Sequence, residues 1–230
     1  MSVFVVTGGS GGLGSAVVRT LIAAGHQVVV PYRDRGRFTA LENGVAAKDR
    51  LLGAIAEMDR LEDAERVMAE AVRWGARLDG VAALAGGYAS SGALDVAPAQ
   101  EWEEMLRVNL KTAYSTCRAA LPHLSATRGS IVLCSSRAVT TGGAGTAYTV
   151  SKAAVEALTR ELALESRGRG VRVNAIAPGT IDTPGNRSAM PKADRTSWTP
   201  PVEIAAVVAF LLGPESTPVT GAVVPVHAKG

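Results

Sequence analysis

Four apolar residues, Val3-Phe4-Val5-Val6, run directly into Thr7-Gly8-Gly9-Ser10-Gly11-Gly12-Leu13-Gly14. No other feature constrains the fold as much. A continuous, β-branched apolar run of this length reads as a buried strand. Leu13 to Ala24 then carries helical spacing, with Gly25 near its C-terminal end. The glycines must form a strand-to-helix turn, where backbone N–H groups and the positive end of a helix face one spot. Side chains there would hold phosphates away and obstruct the bend. The turn therefore suits the pyrophosphate of a dinucleotide. Gly9, Gly11 and Gly14 fit the spacing G-x-G-x-x-G. Gly8, Gly12 and Gly14 fit a second spacing, T-G-x-x-x-G-x-G. No Lys-Ser or Lys-Thr follows, which excludes a triphosphatase phosphate loop. A purely structural turn is the competing reading, and the placement between strand and helix counts against it.

The rest of the chain continues the alternation. Strands are expected at Val28–Val30, Ala54–Met58, Val81–Leu84, Ser130–Cys134, Val171–Ile176 and Ala222–Val226. Helices are expected at Leu61–Trp74, Glu101–Leu124 (closed by the Pro122 region), Tyr148–Ser166 and Ile204–Leu212. Tyr32 to Lys48 is polar and basic, a loop or loose helix. Residues 182–200, rich in Pro, Ser, Thr, Asp and Arg, read as a surface loop or lid. Buried strands alternating with helices imply an α/β fold of three layers: a doubly wound, mostly parallel sheet with helices on both faces. The 230 residues are 47% apolar, enough for a single domain spanning 1–230.

Composition narrows the function classes. The formal net charge is +3, with both signs mixed along the chain and no basic tail, so nucleic acid is not an expected partner. No run reaches the roughly 18 to 20 apolar residues of a membrane span. The N-terminus lacks the pattern of a signal peptide. Cys117 and Cys134 are the two cysteines, and neither belongs to a CxxC arrangement. Together with scattered His26, His123 and His227, they suggest no metal site and a reducing, cytoplasmic setting.

Two regions carry chemistry. At the end of the second strand stands Pro31-Tyr32-Arg33-Asp34-Arg35. Asp34 lies 20 residues beyond Gly14, where an acid can bind the 2′-hydroxyl of NAD. The strand is expected to end before Tyr32, which makes Asp34 late for that task. Arg33 and Arg35 instead offer charge for a 2′-phosphate. NADP(H) is therefore preferred and NAD(H) is the alternative, with a solvated charged loop as the plain reading. The second region is Tyr148-Thr149-Val150-Ser151-Lys152. A four-residue spacing puts Tyr148 and Lys152 on one helix face. Tyrosine, with a pKa near 10, is a poor acid-base group at neutral pH, and a nearby ammonium is expected to lower that value.

The glycine-rich start, Tyr148-x-x-x-Lys152, Asn109, Asn174-Ala175-Ile176-Ala177-Pro178-Gly179 and the late Thr220-Gly221 turn together resemble the short-chain dehydrogenase/reductase family. The likeness covers nearly the whole chain. It implies a Rossmann-type domain with seven parallel strands, and hydride transfer between NAD(P) and a carbonyl or hydroxyl carbon. It also implies a homo-oligomer, dimer or homotetramer. By this resemblance Tyr148 is the catalytic acid or base, and Lys152 binds the nicotinamide ribose and tunes Tyr148. Ser136 holds the substrate oxygen. Ser136 stands 12 residues before Tyr148, one short of the usual spacing. Ser135 has the usual spacing and is the alternative; Ser136 is preferred because loops shorten more easily than strands change register. Asn109 resembles a helix asparagine supporting a proton path. Thr7, Gly8, Gly9, Ser10, Gly11, Gly12, Leu13 and Gly14 form the cofactor turn. Asp59 resembles the acid beside adenine, or else caps the next helix. Gly86, Pro178, Gly179 and Thr183 resemble the remaining cofactor contacts.

Two departures stand out. The fourth strand ends Ala83-Leu84-Ala85-Gly86-Gly87, with Leu84 near the place of a family asparagine. The chain finishes His227-Ala228-Lys229-Gly230 in place of Asp-Gly-Gly. The expected reaction is reversible reduction of a small carbonyl, with a pocket drawn from 87–92, 137–145 and 182–200. Arg137 and Arg187 either meet an anionic substrate or are surface charges. The alternatives are a catalytically silent NADP(H)-binding regulatory or scaffold protein, and a reductase of C=C or C=N bonds.

Overall fold

A computed structural model describes residues 1–227. In chain order the elements are β1 (Val3–Thr7), α1 (Gly12–Ala23), β2 (Gln27–Tyr32), α2 (Arg35–Asn43), β3 (Leu51–Ile55), α3 (Leu61–Gly75) and β4 (Gly80–Ala83). There follow α4 (Ala99–Met105), a π-helical turn (Leu106–Lys111), α5 (Thr112–Thr127), β5 (Ser130–Cys134), α6 (Ala138–Thr141) and α7 (Thr146–Glu165). The last are β6 (Arg172–Pro178), α8 (Pro184–Ala189), α9 (Pro201–Leu212) and β7 (Val223–Val226). The seven strands form one sheet in the order β3-β2-β1-β4-β5-β6-β7, every pair parallel.

Strand alternation explains the two layers of helices. In β1, Val3 and Val5 face one side of the sheet with Val81, Ile131, Leu133 and Val173, covered by α3, α5 and α7. Phe4 and Val6 face the other side with Val28, Val30, Ala82 and Val132, covered by α1, α2 and α9. Each helix presents a matching stripe. In α3 the buried residues are Ala64, Val67, Met68 and Ala71, the three- and four-residue steps of one helical face. Because the strands are parallel, all their C-terminal ends meet at one edge. The order reverses between β1 and β4, which opens a crevice there.

Several boundaries differ from those expected. β2 continues through Tyr32, whose ring stacks on Phe38 at 4.5 Å. The polar stretch after it folds as α2, capped by Asp34, whose carboxylate accepts from the Arg37 N–H at 3.1 Å. β3 spans Leu51–Ile55 rather than Ala54–Met58. Gly53 interrupts its apolar pattern yet stays in the strand, because the Phe38 ring fills the space a Cβ would need. Pro122 does not close its helix. It sits exposed within α5, which stops instead at Arg128, in the left-handed region with φ 52°.

Candidate active site

The crevice at the strand edge is a cleft of about 600 Å³. Gly8, Ser10, Gly11, Gly12, Leu13 and Gly14 line one wall, with Arg33, Asp34 and Arg37 beyond the end of β2. Ala56, Met58 and Asp59 follow β3, and Leu84 to Tyr88 follow β4. Gly8 has φ +68°, and a Cβ on Gly14 would run into the Gly8 carbonyl oxygen. The turn thus closes back on the start of α1 only with these residues bare. Gly9 faces away and packs against Val30. Thr7 is buried, and its hydroxyl accepts from the Ala85 N–H at 3.1 Å, which stitches the β1 and β4 ends together. Thr183 caps α8 by accepting from the Asn186 N–H at 3.2 Å and lays its methyl group beside Gly12. The residues present fit a dinucleotide: a cradle that added side chains would fill, at the start of a helix.

The charges along the cleft are not equivalent. Arg35 bonds the Tyr32 hydroxyl at 2.8 Å and lies over the Tyr32 and Phe38 rings. Arg37 pairs with Asp34 at 3.6 Å. Arg33 is exposed on the wall and makes no side-chain hydrogen bond or ion pair among the described residues, though its charge is felt by Glu104. Asp59 accepts from Arg107 at 2.6 Å, and the same guanidinium forks onto Glu104 at 2.8 Å. Burial is the largest single influence and raises the Asp59 pKa, but the Arg107 hydrogen bond, a backbone hydrogen bond and the Arg107 and Lys111 charges together outweigh it and hold the carboxyl below its ordinary value. Asp59 is neither a free acid nor the residue flanking α3, which is Arg60.

The reaction end forms where β5 meets α7. Lys152 is buried, and its Nζ donates to the Cys134 carbonyl at 2.9 Å. That Nζ lies 5.9 Å from the centre of the Tyr148 ring. Burial pushes the Lys152 ammonium below its ordinary pKa, with Cys134 opposing. Burial likewise raises the Tyr148 phenol, and the Ser136 hydroxyl pulls the other way. The expected lowering of Tyr148 by Lys152 is therefore not what this arrangement gives: desolvation wins, and the phenol keeps its proton at neutral pH.

The two serines separate cleanly. Ser135 is buried, and its hydroxyl is taken up by Glu156 Oε1 at 2.9 Å and the Lys152 carbonyl at 3.4 Å. Ser136 is partly exposed beside Tyr148, and its hydroxyl accepts from the Ala138 N–H at 3.2 Å. Asn109 sits in the π-turn, a distortion that turns one helical residue inward. Its Oδ1 accepts from the Gly87 N–H at 3.0 Å, and its Nδ2 donates to the Gly87 carbonyl at 3.1 Å. The same Nδ2 reaches Ser151 Oγ at 3.1 Å, and Ser151 donates to the Tyr148 carbonyl at 2.7 Å. Gly86 lies against both Asn109 and Lys152; a Cβ there would fall 3.2 Å from Nζ. Pro178 ends β6 and Gly179 follows it, and the Pro178 carbonyl accepts from the Arg137 N–H at 2.9 Å.

Residue-type patterns gave no signal for Ser151, Glu156 or Tyr88. Ser151 and Glu156 act through bonds between elements far apart in sequence. Tyr88 is exposed, with its ring edge-on to Tyr148 at 5.0 Å. The family departure at the C-terminus falls at the edge of the description, since Ala228, Lys229 and Gly230 lie outside the described residues.

Residues 2–194 match the short chain dehydrogenase family. The chain belongs to that family. L-fucose dehydrogenase of Oryctolagus cuniculus is 37% identical over 186 residues, a match covering 79% of this chain and 63% of that protein. L-fucose dehydrogenase of Mus musculus is 34% identical over 234 residues, covering 95% and 84%. The crystal structure of levodione reductase superposes with a TM-score of 0.91 at 27% identity, covering 98% of this chain and 96% of that one. The match to the first of these spans less than two thirds of the relative's length. Among the described residues no helix is long and apolar enough to cross a membrane, and no group of metal-ligating side chains is found.

Proposed function

We propose that residues 1–230 work as one NAD(P)-binding domain that reversibly reduces a small carbonyl compound, with NADP(H) preferred over NAD(H). The observation that carries this reading is the meeting of Ser136, Tyr148 and Lys152 beside the glycine-lined cleft. Gly8, Ser10 to Gly14, Asp59, Gly86, Pro178, Gly179 and Thr183 would hold the dinucleotide, with Arg33 at the 2′-phosphate and Lys152 at the nicotinamide ribose, while Gly9 packs behind the turn on Val30. When bound, that cofactor supplies or takes up hydride. Tyr148 gives its proton to the substrate oxygen during reduction and recovers it during oxidation. The Ser136 hydroxyl donates to the same oxygen and steadies its growing charge. Asn109 fixes the Gly87 backbone and, through Ser151, the first turn of α7.

Arg33 supports NADP(H) because, unlike Arg37 and Arg107, it is a cleft arginine held in no ion pair or side-chain hydrogen bond among the described residues. A groove of about 930 Å³ across α4, the π-helical turn, α5 and α7, apolar at Leu106, Leu110, Tyr114 and Leu158 and flanked by Glu103, Glu104, Arg107 and Lys111, supports assembly as a dimer or homotetramer. Two free cysteines suit a reducing, cytoplasmic compartment.

The test is a panel of carbonyl compounds followed separately with NADPH and NADH, repeated with Tyr148→Phe. The variant is expected to bind cofactor normally and lose roughly 10²- to 10⁴-fold in turnover. Tight NADPH binding with no turnover across the panel rejects the reading in favour of a silent binder. Products reduced at C=C or C=N redirect it to those bonds.

A further inference from the structure

Arg137 and Arg187 lie in the two segments, 137–145 and 182–200, from which the sequence draws the substrate pocket, and the fold treats them differently. Arg187 is exposed and closed onto Asp182 by two bonds of 2.6 and 2.7 Å. That pair offers little free charge. Arg137 is partly buried, and its side chain makes no hydrogen bond or ion pair among the described residues. Its backbone is nonetheless firmly set. The N–H donates to the Pro178 carbonyl at 2.9 Å, and the Arg137 carbonyl accepts from the N–H groups of Thr140 and Thr141 at 2.9 and 3.1 Å.

The guanidinium lies beside Gly179. A Cβ at that position would stand 3.9 Å from both Cζ and Nε of Arg137, which places the guanidinium next to the turn that follows β6. A cation drawn partly out of water without a partner costs free energy. The guanidinium fork matches a carboxylate in shape as well as charge. Arg137 directly follows Ser136, the residue assigned to the substrate oxygen.

We propose that Arg137 binds an anionic group of the substrate, a carboxylate carried close to the reacting carbonyl, and so selects oxo acids over neutral carbonyl compounds. This rests on the carbonyl-reductase reading above and adds the substrate's charge to it.

Acetoacetate and methyl acetoacetate share the reacting ketone and differ in charge. Both are assayed with NADPH-saturated enzyme, and acetoacetate binding is followed by saturation-transfer NMR with NADP⁺ present. The wild type is expected to favour acetoacetate in kcat/KM by at least about tenfold. Arg137→Ala and Arg137→Gln are expected to lose about 30-fold or more on acetoacetate, the usual scale for removing one side of a charge pair. They lose far less on the ester, and Arg137→Lys recovers part of the difference. Cofactor affinity stays at the wild-type value.

Equal losses on acid and ester, or a wild type indifferent to charge, overturn the proposal while leaving carbonyl reduction standing. Weakened NADPH binding with intact acetoacetate binding also overturns it, because the arginine would then serve a cofactor phosphate. If neither compound is turned over, the binding signal decides. An acetoacetate signal lost in Arg137→Ala supports the assignment, and no signal in the wild type overturns it.

Discussion

Lys152 donates from Nζ to the carbonyl oxygen of Cys134 at 2.9 Å. The bond crosses from α7 to the last residue of β5 and pins the amine to the strand end. The ammonium is thereby held beside, and not on, the Tyr148 hydroxyl, which explains why burial decides the proton affinity of both groups.

That balance sets a pH dependence. Tyr148 lies above its ordinary pKa and Lys152 below its own, both chiefly through burial. Reduction needs the protonated phenol, so its kcat/KM is expected to stay level through neutral pH and fall only on the alkaline side. Oxidation needs the phenolate and should rise over the same limb. Profiles in both directions check this. An acidic limb governing reduction near pH 6 would contradict the assignment.

Ser135 and Ser136 should fail in different ways. Ser136→Ala is expected to lower kcat roughly 10²-fold, the scale of losing one donor to a developing oxyanion, with the unfolding midpoint near wild type. Ser135→Ala removes the donor to buried Glu156 and should cost about 1–3 kcal/mol in urea unfolding, with a small kinetic effect. Reversed outcomes would exchange the two roles.

Arg33→Ala should distinguish the two dinucleotides. Loss of a charge-assisted contact to a 2′-phosphate is expected to raise the Kd for NADPH about tenfold or more, while NADH binding changes little. Fluorescence titration measures both. A parallel loss for the two cofactors would remove Arg33 from phosphate recognition.

Asn109→Ala strips partners from the N–H and carbonyl of Gly87 and from Ser151. Gly87 is exposed and water can serve its backbone groups, so the loss falls on the buried Ser151 hydroxyl and the space the amide leaves, and stability is expected to drop by about 1–3 kcal/mol. Ser151→Ala, which leaves the Gly87 clamp whole, should cost less. Chemical denaturation of the two variants compares them, and a stable Asn109→Ala protein would mean the clamp is dispensable.

The alternating architecture was legible because parallel strands buried on both faces write themselves as apolar runs, as in Val3–Val6 and Ile131–Leu133. The glycine turn was legible because backbone geometry leaves so few alternatives there. Boundaries failed where tertiary contacts overrule local pattern. Gly53 stays in β3 because of the Phe38 ring, and Pro122 sits exposed within α5. The pairing of charges was not legible at all. Nothing in the residue order says that Arg107 occupies Asp59 while Arg33 and Arg137 stay open. The same holds for the Tyr148 phenol: spacing brings Lys152 near it, but only the depth of the site fixes the sign of the shift.

The segment 182–198 leaves and rejoins the domain at a single neck. Ile181 bridges Thr199, the Asp182 N–H donates to the Thr199 carbonyl at 2.9 Å, and the Thr199 N–H donates to the Thr180 carbonyl at 2.9 Å. With its ends stapled, the excursion is a cassette whose length and content can drift while β6 and α9 stay put, since enlarging a closed loop costs little entropy. On the proposed reading, selectivity for new compounds can evolve beyond Thr183 by insertion and exchange, with Ser136 after β5 and Tyr148 and Lys152 on α7 left as inherited.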